Sequence, residues 1–302
     1  MSEDITSNTN STSDTPDFCH LEKFRSKNLD CIPRCFNKCS FKPGQSFEAR
    51  ITHIYDPSKF WMVLKFWELE VFQKYLFRFY YWNGNKYRVP ADKIIKDLYC
   101  VILLDNGYYR GVIVGIPSTL QTEQKIQVWC VDYGFIKVVE KNNVYYMKKE
   151  CHAVPQFAVR STLAGICPRK GPQWTSEDAL EFYNLANDKI LIGIIINVDN
   201  ESQVLEVHIG ERNDLSIIPI HEILIALKHA RYFHEKPEVI ESKMPFESKL
   251  QFPYLFPSHE ALESGIVPTN VYDSEYQVQF SSLLSFLGRY YKAKDTTRKK
   301  FS

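Results

Sequence analysis

The first regular pattern along the chain begins at residue 47, where Phe47, Ala49, Ile51 and His53 alternate with Glu48, Arg50 and Thr52. A period of two is the signature of a half-buried strand. Asp56-Pro57-Ser58 supplies a turn, and Phe60-Trp61-Met62-Val63-Leu64 resumes as the second arm of a hairpin. The period then changes. From Phe66 to Tyr80, Leu69, Phe72, Leu76 and Phe79 recur at helical spacing with Glu68, Glu70, Lys74 and Arg78 between them, which predicts an amphipathic helix. Its aromatic residues Phe72, Phe79, Tyr80, Tyr81 and Trp82 are expected to pack in the core or between lobes.

Residues 98–150 return to short strands punctuated by turns: LYCVILLD, YYRGVIVGI, KIQVWCVD and IKVVE, with Asn106-Gly107 as the tight hairpin turn between the first two. A strongly bent sheet of this kind protects its edges by closing, so a small barrel is expected. Farther on, Thr175 or Ser176 can cap a helix with Leu180, Tyr183 and Leu185 on its apolar face. KILIGIIINV and QVLEVHIGE follow as two strands around the polar turn Asp199-Asn200-Glu201-Ser202, and HEILIALKHARYF is read as a last helix closing near Phe233.

Composition changes the picture at the ends. The first 16 residues are mostly Ser, Thr and Asn without an aromatic ring, and such a stretch cannot bury enough apolar surface to offset ordering entropy. With the basic, Cys-bearing stretch CIPRCFNKCSFKPG, residues 1–41 read as a disordered or linker arm. Residues 235–302 read as a partly disordered C-terminal extension. It contains VQFSSLLSFLGRYY, apolar at helical spacing and suited to a partner or to a latch on the main domain, and ends in RYYKAKDTTRKK, basic and Tyr-bearing.

With 37 Lys+Arg against 36 Asp+Glu the net charge is +1, so no chain-wide field draws in nucleic acid. No run approaches the roughly 18–20 apolar residues of a membrane-spanning helix. The eight cysteines are dispersed, as reduced thiols of a soluble intracellular protein would be. Rings make up 14% of the chain, an excess suited to a β-rich core or to a surface that binds with ring faces.

The succession strand pair, helix, small barrel, helix, strand pair, helix resembles the extended Tudor domain. DPSKFWMVL, DNGYYRG, VWCVDYG, VPQFAVRSTLAGICP and the helix start at Trp174 carry the resemblance, over about residues 42–234. It implies an α+β, mainly β fold in which a Tudor barrel, about residues 95–150, is joined by a helix to a staphylococcal-nuclease-like (OB-type) lobe. It further implies a non-enzymatic adaptor without cofactor that docks protein partners in germline piRNA-type silencing. The implied ligand is symmetrically dimethylated arginine in the tails of Argonaute or Piwi-class proteins. The implied residence is cytoplasmic, in perinuclear germ granules or nuage, with the nucleus left open.

Rings around a cavity attract a methylated guanidinium through their negative faces, with about 0.5–2 kcal/mol per contact. Carried over residue by residue, the four rings of the family's cage fall on Leu103, Tyr109, Cys130 and Tyr133, and its Asn falls on Phe135. Two rings survive, and Phe135 offers no acceptor for the ligand's N–H groups. The expected cage is therefore incomplete, with Phe135 available as a substitute wall. Trp129, next in sequence to Cys130, should point to the opposite side of the strand.

Other chemistry is thin. Cys31, Cys35 and Cys39, with Cys19 and His20 upstream, are the candidate metal ligands, but their spacing is not that of a zinc knuckle. Cys151-His152 are neighbours read as lying in an extended segment, where they point apart and cannot share a proton. Glu48, Arg50, Glu206 and His208 are isolated in the nuclease-like strands, without the carboxylate cluster of a metal-dependent nuclease. The alternative to a protein adaptor is an RNA-binding module that uses the basic tail and the cleft between lobes.

Overall fold

The structure is a computed structural model that describes residues 31–105, 107–116, 125–171, 173–212, 217–233 and 257–265. In chain order these form β1 (Ser46–Asp56), β2 (Lys59–Val63), α1 (Phe66–Tyr87), β3 (Tyr99–Leu104), β4 (Gly107–Gly115), β5 (Lys125–Cys130), β6 (Phe135–Glu140), β7 (Val144–Tyr146) and α2 (Lys149–Ala153). Then come β8 (Val159–Leu163), β9 (Ile166–Pro168), α3 (Ser176–Ala186), β10 (Leu191–Asp199), β11 (Val204–Arg212), β12 (Ile217–Pro219), α4 (Ile220–Ala226), β13 (Ala230–Tyr232) and α5 (His259–Glu263). Strands dominate, as expected of a mainly β, α+β fold.

The expected first hairpin is β1–β2. Asp56 Oδ1 accepts from the Ser58 N–H and hydroxyl, both at 2.7 Å, which fixes the turn. Register shifts in β1 at Ile51/His53 and Ile54/Asp56 bend the strand, so that Ser46–Ala49 pair with β10 while Arg50–Asp56 pair with β2. The sheet runs β10-β1-β2-β8-β11-β12, and the further pairing of β10 with β11 closes its first five strands into a ring. Within that ring β8 and β11 run parallel. This is the OB-type lobe, filled by Phe60, Met62, Leu191, Ile195, Leu205 and Val207 together with Phe182 from α3.

The second lobe is a five-stranded sheet of order β6-β5-β4-β3-β7. Cys100, Ile102, Ile113, Ile126, Val128 and Cys130 form its interior. A third apolar cluster joins the lobes, with Trp61 from β2, Leu76 and Tyr80 from α1, Tyr108 from β4, Trp129 from β5 and Tyr145 from β7. Strand alternation makes this junction: Phe60 and Met62 enter the OB-type core, while Trp61 between them points at the other lobe.

Several expectations change. α1 runs to Tyr87, and its buried line is Phe66, Leu69, Leu76, Tyr80 and Gly84. Phe72 and Phe79 pack beside that line, whereas Tyr81 and Trp82 are exposed, Trp82 at 80%. Thr175 is the cap of α3, in a reciprocal capping box with Asp178. The buried residues of α3 are Asp178, Ala179, Phe182 and Ala186, with Leu180 and Tyr183 turned outward. α4 stops at Ala226, because Lys228 takes φ +67° and residues 230–232 pair with β9 as a strand.

Part of the expected linker arm packs against the body. Ile32 joins the junction cluster and Cys35 the OB-type core. Cys151 and His152 lie on the short helix α2, not in an extended segment, and Cys151 is fully buried. The basic end from residue 289, the apolar segment 278–291 and the N-terminal 16 residues lie outside the described residues. Among the described residues no helix is long and apolar enough to cross a membrane.

Candidate functional site

Tyr109 stands on β4, and Tyr133 and Phe135 flank Gly134 where the chain turns from β5 into β6. The turn closes by hydrogen bonds from the Tyr133 and Gly134 N–H groups to the Cys130 carbonyl, at 3.2 and 2.9 Å. Gly134 takes φ +85°, and a Cβ there would meet Trp61 Cγ at 2.3 Å. Only glycine combines that backbone with that closeness. Across the lobe junction, the Thr52 hydroxyl on β1 donates to the Tyr133 carbonyl at 2.7 Å.

The result is a cluster of three rings. Tyr109 and Tyr133 have centroids 5.3 Å apart at 65°, Tyr109 and Phe135 6.3 Å apart at 62°, and Tyr133 and Phe135 5.7 Å apart at 38°. His53 on β1 adds an edge-on contact to Phe135 at 6.5 Å. Tyr109 and Phe135 are only partly buried. Burial raises the Tyr109 hydroxyl, helped by Cys130 and by the Asp105 carboxylate; burial likewise pushes up the Tyr133 hydroxyl, with Asp132 next. Both phenols are neutral at pH 7, with electron-rich faces. Lys137 Nζ already sits 5.7 Å from the Phe135 centroid, so that face accepts a cation.

The five residues carried over from the family pattern separate into two groups. Tyr109, Tyr133 and Phe135 come together. Cys130 pairs directly with Phe135 but is fully buried beneath it, its thiol raised well above the ordinary range by desolvation. Leu103 pairs with Tyr108 and packs in the junction cluster on the opposite face, because the residue in register with Tyr109 is Ile102. Of the candidate metal ligands, Cys31 is exposed, while Cys35 is buried with its Sγ 3.5 Å from that of Cys39. Among the described residues no three His, Cys, Asp or Glu groups gather as a metal site.

Three residues beside the rings were not singled out from the sequence. Gln73 Oε1 accepts from the Tyr133 hydroxyl at 3.3 Å, Asp105 lies near Tyr109, and His53 borders Phe135. His53 also lines a cleft with Ile51, Thr52, Ile54, Leu180, Tyr183 and Asn187, between β1 and α3. The outward turn of Leu180 and Tyr183 is what lines it. No local motif announces this cleft, since its walls are far apart in sequence.

Residues 41–165 match the family model described as Tudor domain. The fold superposes on the extended Tudor domain TD3 of mouse TDRD1, in complex with a MILI peptide containing dimethylarginine, with TM-score 0.55 and 16% identity over 64% of this chain and 96% of that one. It also superposes on the Drosophila melanogaster Papi extended Tudor domain in complex with a Piwi N-terminal peptide, with TM-score 0.56 and 18% identity over 62% of this chain and 99% of that one.

The chain has the fold of an extended Tudor domain.

Among curated proteins, it is 25% identical to Homo sapiens Tudor domain-containing protein 6 over 238 residues, 75% of this chain and 10% of that protein. It is 29% identical to Danio rerio Tudor domain-containing protein 7B over 122 residues, 40% of this chain and 11% of that protein. The chain thus spans about a tenth of the length of these relatives.

Proposed function

We propose that the extended Tudor domain is a non-enzymatic docking module for protein partners, and that the cluster of Tyr109, Tyr133 and Phe135 receives an arginine side chain of an Arg-Gly-rich tail. The mutual contact of these three partly accessible rings, two pairs edge-on and one tilted, is the observation that carries the reading. An accessible face of such a cluster attracts a cation, as the Phe135 ring already does Lys137. The cleft along β1 and α3 gives the rest of a peptide somewhere to lie, with Thr52, His53 and Asn187 as polar contacts.

The missing Asn sets the expected selectivity. Phe135 encloses the cation but cannot accept from the guanidinium, so methylated and unmethylated arginine bind with less than about a tenfold difference, or roughly 1.4 kcal/mol. Support for the partner class comes by analogy with the MILI and Piwi peptides bound by the structural neighbours. A role in small-RNA silencing, at cytoplasmic germ granules, follows from the same analogy.

Isothermal titration with Arg-Gly peptides, with and without symmetric dimethylation, tests both parts. Micromolar binding lost in the Tyr109→Ala, Tyr133→Ala double variant supports the site. A preference for dimethylation above tenfold overturns the incomplete-cage reading, and binding unchanged in the double variant overturns the site.

A further inference from the structure

After β13 the next described residues are 257–265, where Ser258 caps α5 by accepting from the Ala261 N–H at 3.2 Å. This helix carries Glu260 and Glu263 toward a slot at the lobe junction. Arg34 lies on one wall, Trp61 of β2 on another and Arg160 of β8 between them. Glu263 Oε1 accepts from Trp61 Nε1 at 3.1 Å and from Arg160 Nε at 2.9 Å. Its Oε2 accepts from Arg34 Nη2 and Arg160 Nη2, both at 2.7 Å. Glu260 takes the remaining face of the Arg160 guanidinium, whose Nη1 also reaches the Ser202 carbonyl at 2.7 Å.

Two guanidinium groups and an indole N–H therefore converge on a single carboxylate, a donor set complete for that group and for little else. Burial pushes the Glu263 carboxyl up, but Arg160 and Arg34 outweigh burial and hold it at about 2. Apolar contact accompanies the charges: Leu262 is fully buried in the junction cluster, Ala261 packs against it, and the buried His259 ring meets Trp61 edge-on at 5.1 Å. The attachment combines one charged anchor with one short apolar face, the two elements of a docked amphipathic helix.

We propose that the slot formed by Arg34, Trp61 and Arg160 is a binding site for an acidic helical peptide of the pattern Ser-x-Glu-x-x-Glu, filled in this chain by its own residues 257–265. Residues 234–256 join the segment covalently to β13, and attachment through a linker of that order supplies an effective concentration around the millimolar range. A weak intrinsic affinity is then enough to keep the slot filled in cis. A partner protein bearing the same acidic helix competes only when it binds more tightly or is held nearby.

The test uses the full chain with a protease recognition sequence inserted within residues 234–256. After cleavage, the C-terminal fragment is expected to co-elute with the folded body on gel filtration. Excess synthetic peptide of residues 255–267 is expected to displace it. In an uncut Glu260→Gln, Glu263→Gln chain, where the cis segment is weakened but the slot is intact, a fluorescent form of the wild-type peptide should bind at least tenfold more tightly than to the uncut wild type. Circular dichroism checks that this variant keeps its fold. A cleaved body that unfolds or aggregates shows α5 to be integral core and overturns the proposal. So does a fragment that departs at once while the labelled peptide binds neither chain.

Discussion

Arg110 and Asp132 form a bidentate ion pair inside the protein, with Arg110 Nε donating to Oδ2 at 2.8 Å and Nη2 to Oδ1 at 2.5 Å. Both side chains are almost wholly removed from solvent. The remaining donors of Arg110 go to the carbonyls of Cys151, Val154 and Pro155, and Asp132 Oδ1 also accepts from the Phe157 N–H. The pair sits one residue from Tyr109 on one side and from Tyr133 on the other. It fixes the two strands that present the rings, and it ties them to the segment leading into β8.

Removing one partner strands the other charge, so Asp132→Asn and Arg110→Met are each expected to lower stability by about 3–5 kcal/mol. Urea denaturation of the full chain measures this. Replacing both at once should remain strongly destabilising, since three carbonyls and one N–H lose their partners; a near-neutral double variant would contradict this account.

The ring site predicts opposite outcomes for two substitutions. Tyr133→Ala removes the central wall and should weaken Arg-Gly peptide binding by about 1–2 kcal/mol. Phe135→Asn exchanges a ring for an acceptor, and titration should show the preference for dimethylated over unmethylated peptide increasing, by about fivefold or 1 kcal/mol.

At the turn between β5 and β6, Gly134→Ala meets both a positive φ and the Trp61 side chain, which is buried and cannot withdraw. Thermal or chemical melting should show a loss on the order of 3 kcal/mol. Gly44 also has φ +83° but has no neighbour near a Cβ, and its alanine variant should lose clearly less.

Acid should loosen α5. Desolvation, then the nearby charges of Lys59 and Arg160, lowers His259 from 6.5 to about 3. Between those values the unfolded state binds the proton and the folded state does not, so stability falls as pH drops from about 6.5 toward 3. The step from pH 6.5 to 5 costs about 2 kcal/mol. Glu263, lowered from 4.5 to about 2, adds a loss in the same direction below about pH 4.5. His259→Phe keeps a ring against Trp61 and should flatten the upper part of a stability-versus-pH curve while leaving the lower part.

Thiol reactivity should divide by burial. Desolvation pushes Cys35 and Cys100 up to about 12 and Cys151 to about 11. Cys31 is exposed. Brief alkylation at pH 8 followed by mass spectrometry should label Cys31 while Cys35, Cys100, Cys130 and Cys151 stay unmodified.

The elements with strong periodicity were legible in the sequence. β1, β2, the start of α1 and the strands β3 to β6 follow directly from alternation and turn residues. The short elements β7, β9, β13 and α2 were not, because they are too short to show a period and exist through their partners. The packing of Ile32 and Cys35 escaped notice for a related reason. Composition marks 17–43 as a linker, while its few apolar residues are captured by a core built elsewhere. In the ring cluster, Tyr109 and Tyr133 were readable from their motifs. The placing of Leu103 on the other face was not, since it depends on the register of β3 against β4.

Glu263 holds Arg34 and Arg160 in one ion cluster, so a carboxylate near the end of the described chain completes contacts begun near its start. During synthesis the lobes can assemble well before that residue emerges. Until then the buried Arg160 has the Ser202 carbonyl but not its two carboxylates. A fragment cut at residue 234, just after β13, would keep that nascent condition permanently. Full pairing of Arg160 therefore depends on carboxylates that lie beyond β13 in the sequence.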